Sequence, residues 1–355
     1  MGFNPFKMFI PKKMLGIDIG TSSVRVVELS KWGGGRTLEN YGEIKAPSLF
    51  KEPLRTLDGG SYLLSSHFIS RAIKAILNEA RIDTKAAIFS IPDFSTFFVS
   101  FDLPPMQEKE IPNAIRFNAP QYIPLPVSET TLDWRLISGR PGDSKSNLKV
   151  LVIAIANQLV QEYQRVAQMA GLELYALEAE ALAVVRSLIR DNKKVICLID
   201  LGVQSTTVNI VDKGVLKKSF SVNFAGNQLT YAIASALDKE YIEAEEIKCR
   251  DGLLSKEKNV TDTLYLLIDP LITEVKKICS EFFQTEEEEI EEIYLTGGTA
   301  NLPGLKDYFA EALKKQIETP NCFSDFLYPP ILNETLAKIS ASYSVAVGVA
   351  MGGLE

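Results

Sequence analysis

The chain has 355 residues, of which 46% are hydrophobic and 23% are charged, and its formal net charge is −7. This length allows a sizeable core and at least two lobes, and the dispersed basic residues argue against nucleic-acid binding. The four cysteines are scattered and form no CxxC pair, and there is a single histidine, so a zinc site and a disulfide framework are not expected. No apolar run approaches the ~20 residues that span a bilayer, which argues against a membrane helix.

The first 13 residues combine three phenylalanines with three lysines and no acidic residue. One interpretation is a weak contact with a membrane surface or a partner, and the other is a loose terminus packed locally by its aromatic side chains. We favour the second, because the segment is short and is interrupted by Pro5 and Pro11. It also lacks the continuous apolar stretch of a secretory signal.

Residues 14–29 predict two strands joined by a tight turn, with Leu15, Ile17 and Ile19 on one side of the first strand. The turn region contains Asp18, Gly20, Thr21, Ser22 and Ser23. We expect Gly20 to adopt a positive φ and expose backbone N–H groups, which together with hydroxyls form a concavity suited to a phosphate. Asp18 could hold Mg²⁺ directly or through water, since this ion prefers oxygen ligands.

The following residues predict a third strand at 38–46, a loop at 47–62 and a helix from Ser65 or Ser66 to about residue 80. Strands are then expected at 86–91 and 96–103, a helix at 107–118, and strands at 130–138 and 147–156 around an exposed tip at 139–146. We interpret residues 84–157 as an inserted β-β-α-β-β unit.

A helix at 157–171 and a strand at 173–176 are predicted next, followed by a helix from Glu178 to about residue 190. At the start of that helix the dipole favours a carboxylate. Glu178 is therefore either an ordinary N-terminal residue of a helix or a functional one.

Residues 195–211 repeat the order of the first hairpin: an apolar strand, Asp-Leu-Gly, two spacers, hydroxyls and a second apolar strand. The repeat contains Asp200, Gly202, Gln204, Ser205 and Thr206, and its aspartate lies 182 positions after Asp18. This self-similarity predicts two related halves, each with a phosphate-binding hairpin. A third turn contains Gly297, Gly298 and Thr299, and its adjacent glycines would let a ligand approach the backbone.

The remaining pattern predicts a strand at 215–222 and helices at 228–237, 243–248, 261–283, 305–315 and 342–351. Pro270 is expected to kink the long helix. Gly348, Gly352 and Gly353 near the last helix would permit close packing on the first lobe.

The three glycine turns in this order resemble the phosphate-1, phosphate-2 and adenosine loops of the actin/Hsp70/hexokinase ATPase superfamily. Further stretches narrow the resemblance to the PilM-type pilus assembly proteins, relatives of the division protein FtsA. They are residues 118–126 with Leu132-Asp133-Trp134, residues 170–172 leading to 178–183, and residues 226–230. The resemblance covers nearly the whole chain, and its specificity comes from the joint order of modest motifs.

The resemblance implies an α/β actin-like ATPase fold with two ribonuclease-H-like lobes around a nucleotide cleft and an inserted subdomain in lobe I. Lobe I would comprise residues 1–190, with subdomain 1C at about 84–157, and would be completed by the C-terminal helix at about 335–355. Lobe II would comprise residues 191–334, with an inserted subdomain 2B at about 224–290.

The resemblance also implies that ATP lies between the lobes, held by the two hairpins and the turn at Gly297–Thr299, with Asp18 and Asp200 positioning Mg²⁺. Glu178 would orient the attacking water. Arg25 stands where related proteins often have Lys or a small residue, and it either reaches a phosphate or solvates the strand edge. Slow hydrolysis and a purely switching role of ATP both remain open, and so do hairpins without a ligand.

As a PilM-type protein, the chain would be a cytoplasmic scaffold of the inner-membrane assembly platform of the type IV pilus, with a role in twitching motility, and would be held at the inner membrane through a partner. That partner would be the N-terminal tail of a PilN-like membrane protein, docked as an extended segment between the first lobe and the insert. Other pilus components and self-association are further expected contacts.

The alternatives are an FtsA-like division scaffold, a type II secretion scaffold and a small-molecule kinase of the same superfamily. The chain ends at Met351-Gly-Gly-Leu-Glu without the amphipathic helix of FtsA types, which counts against the first. No further aspartate beside a plausible substrate pocket supports the kinase.

Overall fold

The computed structural model describes residues 12–45, 55–58, 61–143, 146–189 and 193–355. The aromatic N-terminal segment 1–11 and residues 47–54 of the predicted loop therefore lie outside the described residues. The chain forms two compact units. The first comprises the described residues of Met1–Ser187, Asp325–Pro330 and Val345–Glu355, and the second those of Leu188–Ser324 and Ile331–Ser344.

The strands are β1 (Lys12–Ile19), β2 (Ser23–Trp32), β3 (Gly35–Lys45), β4 (Arg55–Asp58), β5 (Ser61–Leu64), β6 (Ala86–Ile91), β7 (Thr96–Leu103), β8 (Thr130–Ser138), β9 (Leu148–Ala156), β10 (Glu173–Ala179), β11 (Val195–Leu201), β12 (Thr206–Asp212), β13 (Val215–Val222), β14 (Glu292–Thr296) and β15 (Ile317–Glu318). The α-helices are α1 (Ser66–Glu79), α2 (Ile111–Asn118), α3 (Asn157–Ala170), α4 (Glu180–Leu188), α5 (Gly226–Leu237), α6 (Tyr241–Arg250), α7 (Lys258–Glu286), α8 (Leu305–Leu313) and α9 (Asn333–Gly352).

The first unit is built on a five-stranded sheet with the order β10-β6-β1-β2-β3. Strands β1, β6 and β10 run parallel, whereas β1, β2 and β3 form an antiparallel meander. The predicted apolar side of β1 is confirmed, because Leu15, Ile17 and Ile19 are fully buried in one core with residues of α1 and α3. Alternation along β1 and a 3.6-residue period along the helices bring these faces together.

An insert with its own core follows β6. It contains β7, α2, β8 and β9, and its three-stranded antiparallel sheet has the order β7-β9-β8. Ile111 and Ile115 of α2 pack against Val150 and Val152 of the central strand. The predicted insert counted β6 as its first strand, which is wrong: β6 lies between β1 and β10 because its run of buried residues needs cover on both faces.

The second unit repeats the arrangement of the first. Its sheet has the order β13-β12-β11-β14-β15, with β11, β12 and β13 antiparallel and β14 and β15 parallel to β11. One face is covered by the 29-residue helix α7, which contains Pro270 and buries Leu264, Ile268 and Val275. The predicted repeat of the first hairpin therefore corresponds to the same place in a second, similar sheet.

Small residues of α9 permit close packing within the first unit, as predicted. A Cβ atom on Gly348 would lie 1.9 Å from the Ala183 carbonyl oxygen, and one on Gly16 would lie 1.9 Å from the Ala346 carbonyl oxygen. The helix is longer than predicted, and its residues 333–344 belong to the second unit. The Ala341 carbonyl accepts hydrogen bonds from Gly297 and Thr296, which ties this half of α9 to the second sheet.

Two local predictions differ from the structure. Strands β4 and β5 occupy part of the predicted loop 47–62 and pair with each other. Strand β10 continues to Ala179, so Glu178 lies in a strand and α4 begins only at Glu180. Parallel pairing of β10 with β6 as far as Ala179 and Ile91 extends the strand, whereas sequence periodicity alone favours a helix for this alanine-rich stretch.

No helix of the described part of the chain is both long and apolar enough to cross a membrane.

Candidate functional site

The two Asp-x-Gly hairpins have the same turn geometry. The Gly20 amide donates to the Ser23 carbonyl oxygen at 2.8 Å, and the Gly202 amide donates to the Ser205 carbonyl oxygen at 3.0 Å. The expected positive φ of Gly20 is wrong, because Gly20 does not lie among the glycines with positive φ. Close approach explains the residue instead: a Cβ atom there would lie 3.0 Å from the Ser23 carbonyl oxygen.

Hydroxyl groups surround both turns. In the first, Thr21 and Ser23 are buried and Ser22 is half-buried, and in the second Gln204 is exposed and Thr206 is buried. The Ser23 Oγ and Thr206 Oγ1 atoms are buried without a hydrogen-bond partner among the described groups. Two hydroxyls of the predicted phosphate-binding turns are therefore buried, and the contact of these turns with phosphate stays a prediction.

Asp18 is tied into a network of the first unit. Its carboxylate accepts a hydrogen bond from Ser90 Oγ at 2.9 Å and lies 3.2 Å from Nη1 of Arg25, the residue directly opposite on β2. Nη2 of Arg25 lies 2.9 Å from Glu43 Oε1. The predicted metal ligand therefore has a fixed cation beside it, and that cation opposes the binding of Mg²⁺ to the same carboxylate.

Asp200 has a different neighbour at the equivalent position. Thr207, which carries no charge, is the residue directly opposite it on β12. The Asp200 side chain lies against Gly297, since a Cβ atom added to this glycine would be 2.4 Å from Asp200 Oδ1. Gly297 has a φ of 86°, which favours glycine, so both its conformation and its contact exclude a side chain.

Three segments of the second unit meet at the Gly202 carbonyl oxygen. It accepts a hydrogen bond from the Gly226 amide at 3.0 Å and one from Thr299 Oγ1 at 3.4 Å. The Asn227 amide donates to the Val203 carbonyl oxygen at 3.0 Å. The second hairpin, the N-terminus of α5 and the glycine turn are therefore adjacent. Carbonyl oxygens of the second hairpin thus bind the first two amides of α5, and these bonds hold the hairpin against the helix.

A buried lysine extends this cluster, and the sequence analysis missed it. Lys248 of α6 donates to the Gly226 carbonyl oxygen at 3.2 Å and to Thr230 Oγ1 at 2.8 Å, and its Nζ lies 2.6 Å from Glu245 Oε2. Burial alone would raise the pKa of Glu245, but Lys248 and hydrogen bonds from Thr230 and Cys249 lower it overall. The Glu–x–x–Lys spacing was visible, but most such pairs on helices are exposed.

Glu178 is bound by an arginine of the same unit. Arg186 donates to its Oε2 at 2.5 Å and to its Oε1 at 2.6 Å, and it also donates to the Gly348 carbonyl oxygen at 3.0 Å. Burial alone would lower the pKa of Arg186, whereas Glu178 and Glu355 raise it overall. Arg135 of the insert lies 3.4 Å from Glu178 Oε1. Both carboxylate oxygens are thus engaged, and the role of Glu178 in orienting water stays a prediction.

The structure therefore brings Asp200, Gly202, Gly297 and Thr299 together in the second unit, and Asp18, Gly20 and Arg25 together in the first. Gly298 follows Gly297 in the glycine turn and lies near Ser342. Within the described residues no group of three or more His, Cys, Asp or Glu side chains could hold a metal ion by itself. A magnesium ion would accordingly need phosphate or water oxygens in addition to a single carboxylate.

Solved structures share this fold. A PilM–PilN type IV pilus biogenesis complex aligns with 96% of this chain and 98% of its own at a TM-score of 0.85 and 24% identity. The ethanolamine utilization protein EutJ from Carboxydothermus hydrogenoformans aligns at a TM-score of 0.58 with 17% identity, covering 96% and 90% of the two chains. MreB5 of Spiroplasma citri bound to ADP aligns at 0.51 with 13% identity, covering 96% and 95%. The predicted actin-like fold class is confirmed.

Curated relatives are cell division proteins FtsA. The Pseudomonas aeruginosa protein is 26% identical over 231 residues, which cover 58% of this chain and 54% of that protein. The Escherichia coli protein is 24% identical over 188 residues, covering 44% and 45%. The chain thus spans about half the length of the curated relatives it matches. The model of the type IV pilus assembly protein PilM family matches residues 16–354, and the chain belongs to that family.

Proposed function

We propose that this actin-like pilus assembly protein is a scaffold that binds ATP with Mg²⁺ and recruits the N-terminal tail of a PilN-like membrane protein. The observation that carries the nucleotide part is the meeting of the second hairpin, the α5 N-terminus and the glycine turn at the Gly202 carbonyl oxygen. Family membership and the composition of the PilM–PilN complex support the partner.

The second unit offers distinct groups to distinct parts of a nucleotide. Turn amides and hydroxyls of Gly202–Thr206 suit phosphate oxygens. The backbone at Gly298, where the nearest atom to an added Cβ would be Ser342 Oγ at 3.9 Å, suits the flat face of a base. Glu245, whose side chain is 39% exposed, supplies an acceptor for sugar hydroxyls, and it is held by Lys248 and Thr230.

Magnesium would be held mainly at Asp200. Asp18 already balances Arg25, whereas the residue opposite Asp200 is uncharged. Arg25 also lies beside the first hairpin, where it would attract phosphate oxygens. The first hairpin would thus present the guanidinium of Arg25 to phosphate, and the second hairpin would hold the metal ion at Asp200.

We further propose that ATP acts chiefly as a conformational ligand with slow turnover. Glu178, the residue predicted to orient water, has both oxygens bound by Arg186. A ligand that binds one arrangement of the chain better than another shifts the population toward it without any chemical step.

The insert supports the proposed mode of partner binding. Strands β7 and β8 are the edges of its sheet, and β10 is an edge of the first sheet. Arg135 of β8 and Glu178 of β10 join the two sheets. An extended peptide can add to such an edge through backbone hydrogen bonds, with side-chain pockets providing specificity.

Fluorescence anisotropy with a labelled N-terminal tail peptide of the host's PilN-like protein tests the proposal. The full chain is titrated with and without Mg-ATP, beside the variant Asp18→Ala/Asp200→Ala and a scrambled peptide. We expect specific binding that depends on ATP and loses this dependence in the variant. Absence of binding in both states, despite demonstrated ATP binding, would contradict the partner and leave the nucleotide site standing.

The similarity to FtsA over 231 residues favours a division scaffold as the second candidate. Specific capture of the PilN-type tail distinguishes the pilus scaffold from it. A type II secretion scaffold would instead bind the tail of that system's membrane protein. Phosphorylation of a small molecule by the purified chain would favour the kinase.

A further inference from the structure

The end of the first sheet that carries the β2–β3 hairpin tip presents a row of basic residues. Lys12 of β1 lies directly opposite Lys31 of β2, and Lys31 lies directly opposite Arg36 of β3. Directly opposite residues of neighbouring strands project to the same face of a sheet. Like charges placed directly opposite each other destabilise strand pairing, so an anionic group beside the row would stabilise it.

The described part of the chain supplies no such neighbour. None of the three residues forms an ion pair with a described acidic side chain, and Lys31 Nζ donates instead to the Leu354 carbonyl oxygen at 3.1 Å. The adjacent Lys13 provides a contrast, because its Nζ lies 3.5 Å from Glu28 and 3.3 Å from Glu39. Acidic side chains therefore neutralise Lys13 but not the adjacent Lys12, which lies one residue closer to the hairpin tip.

Two large apolar side chains are exposed at the same end of the sheet but on its opposite face, because Trp32 directly follows Lys31 on β2 and Leu327 pairs with Thr37 of β3. Trp32 is 67% exposed and Leu327 is 66% exposed. Leu327 is fixed there by the backbone, since its amide donates to Arg36 at 2.9 Å and its carbonyl accepts from Leu38 at 3.0 Å. Its Cδ1 would lie 3.9 Å from a Cβ atom on Gly35. We call Lys12, Lys31, Trp32, Arg36 and Leu327 the tip surface.

The sequence before β1 is also rich in apolar residues and contains a basic residue but no acidic one. Residues 1–11 contain three phenylalanines, two methionines, an isoleucine and Lys7, and the first acidic residue of the chain is Asp18. This segment directly precedes Lys12 in the sequence. The described residues at this end of the sheet combine basic side chains on one face with exposed apolar side chains on the other, in a chain whose net charge is −7.

We propose that the tip surface docks on an anionic lipid bilayer with the end of the sheet toward the lipid, so that both faces of the tip meet the bilayer. Trp32 and Leu327 would enter the boundary between headgroups and acyl chains, where tryptophan is favoured. Lys12, Lys31 and Arg36 would face anionic headgroups, each adding to the attraction. A bilayer fits better than a nucleic acid because it offers Leu327 and Trp32 an apolar medium beside the anionic layer. This contact belongs to the chain itself and needs neither nucleotide nor the PilN-like partner.

Sedimentation with vesicles tests the proposal. The full chain, without nucleotide or peptide, is mixed with vesicles of about three parts phosphatidylethanolamine to one part phosphatidylglycerol, or with phosphatidylcholine alone. We expect binding to the anionic vesicles only. Lys12→Glu/Arg36→Glu should lower the partition coefficient about 25-fold or more, at about fivefold per charge removed. Lys276→Glu/Lys277→Glu, which makes the same change of net charge at exposed positions of α7, should leave it within about twofold.

Tryptophan fluorescence provides a second readout that reports the site of contact. The chain has two tryptophans, so Trp134→Phe leaves Trp32 as the sole emitter. We expect its emission to shift to the blue on anionic vesicles, and we expect Trp32→Ala to weaken sedimentation. The proposal is overturned by sedimentation without a shift, by equal losses in the α7 control, or by no binding to vesicles. Binding of a short DNA duplex in that last case would assign the surface to nucleic acid.

Discussion

Asp18 and Asp200 occupy equivalent hairpin positions but have different neighbours, and this difference predicts different consequences of mutation. Asp200→Asn should lower the Mg²⁺-dependent affinity for ATP by at least about tenfold. Asp18→Asn should have a smaller effect on that affinity and should lower the free energy of unfolding by about 1–3 kcal/mol, because Arg25 and Ser90 lose a charged partner. Calorimetric titration with and without Mg²⁺ and urea unfolding measure the two effects. Equal losses of Mg²⁺ dependence in both variants would contradict the asymmetry.

Mutation of Glu178 and of its partner Arg186 distinguishes a structural role of Glu178 from a catalytic one. The two side chains are only 12% and 13% exposed, so Glu178→Ala removes the bidentate carboxylate partner of a buried guanidinium and leaves it the more distant Glu355. We expect a loss of about 3 kcal/mol in the free energy of unfolding. Glu178→Ala/Arg186→Met should recover much of it. Unchanged urea unfolding together with abolished ATP hydrolysis would instead show that Glu178 serves mainly to orient water.

Glu245 gives the second unit a predictable response to acid. Its pKa is lowered in the folded chain from an ordinary value of 4.5. A lowered folded pKa means that the charged form stabilises the fold above about pH 4.5 and that this contribution is lost as pH falls through the folded pKa. Glu245→Gln should therefore reduce stability at neutral pH and flatten its decline in acid. The Tm measured between about pH 3 and about pH 7 checks this prediction. Glu243→Gln, on the exposed side of α6, is the control.

At the scale of elements, α9 and α4 pack through glycine. Gly348→Val would place a Cβ atom 1.9 Å from the Ala183 carbonyl oxygen, and that oxygen belongs to a helix backbone that cannot yield. We expect a loss of at least about 3 kcal/mol or failure to fold. Gly34→Ala, where no atom lies within 4 Å, should be nearly neutral. Circular dichroism and urea unfolding compare the two, and a stable Gly348→Val variant would contradict this packing.

The elements that sequence patterns predicted well are those with a clear period. The buried face of β1 and the spans of β6 and β7 follow directly from the apolar pattern of their residues. Sequence patterns gave wrong predictions where the pairing of strands with distant partners decided the structure. Strand β10 extends through Glu178 because β6 offers it a partner, and β6 joins the first sheet instead of the insert. Strand partners are distant in sequence, so no local pattern contains them.

At the scale of the whole molecule, ATP binding should appear as thermal stabilisation. A ligand at about one hundred times its Kd stabilises the folded chain by about 2.7 kcal/mol. For a chain of this size that corresponds to a rise in Tm of roughly 4 °C. Differential scanning fluorimetry with Mg-ATP measures the shift, with Mg²⁺ alone and Asp18→Ala/Asp200→Ala as controls. An identical shift in the double variant would place nucleotide binding away from the hairpins.

The sequence by itself determined the class of the molecule. Two Asp-x-Gly hairpins and a Gly-Gly turn, in order and with the right flanking strands, predicted two related sheets and the candidate ligand groups, because hairpins are local and their residues adjoin in the chain. Only the tertiary structure decided how those groups are engaged. Arg25 neutralises Asp18, Arg186 holds Glu178 and Lys248 is buried under α5. Charges separated in sequence meet through packing, and their energies depend on distance and burial, which sequence spacing does not encode.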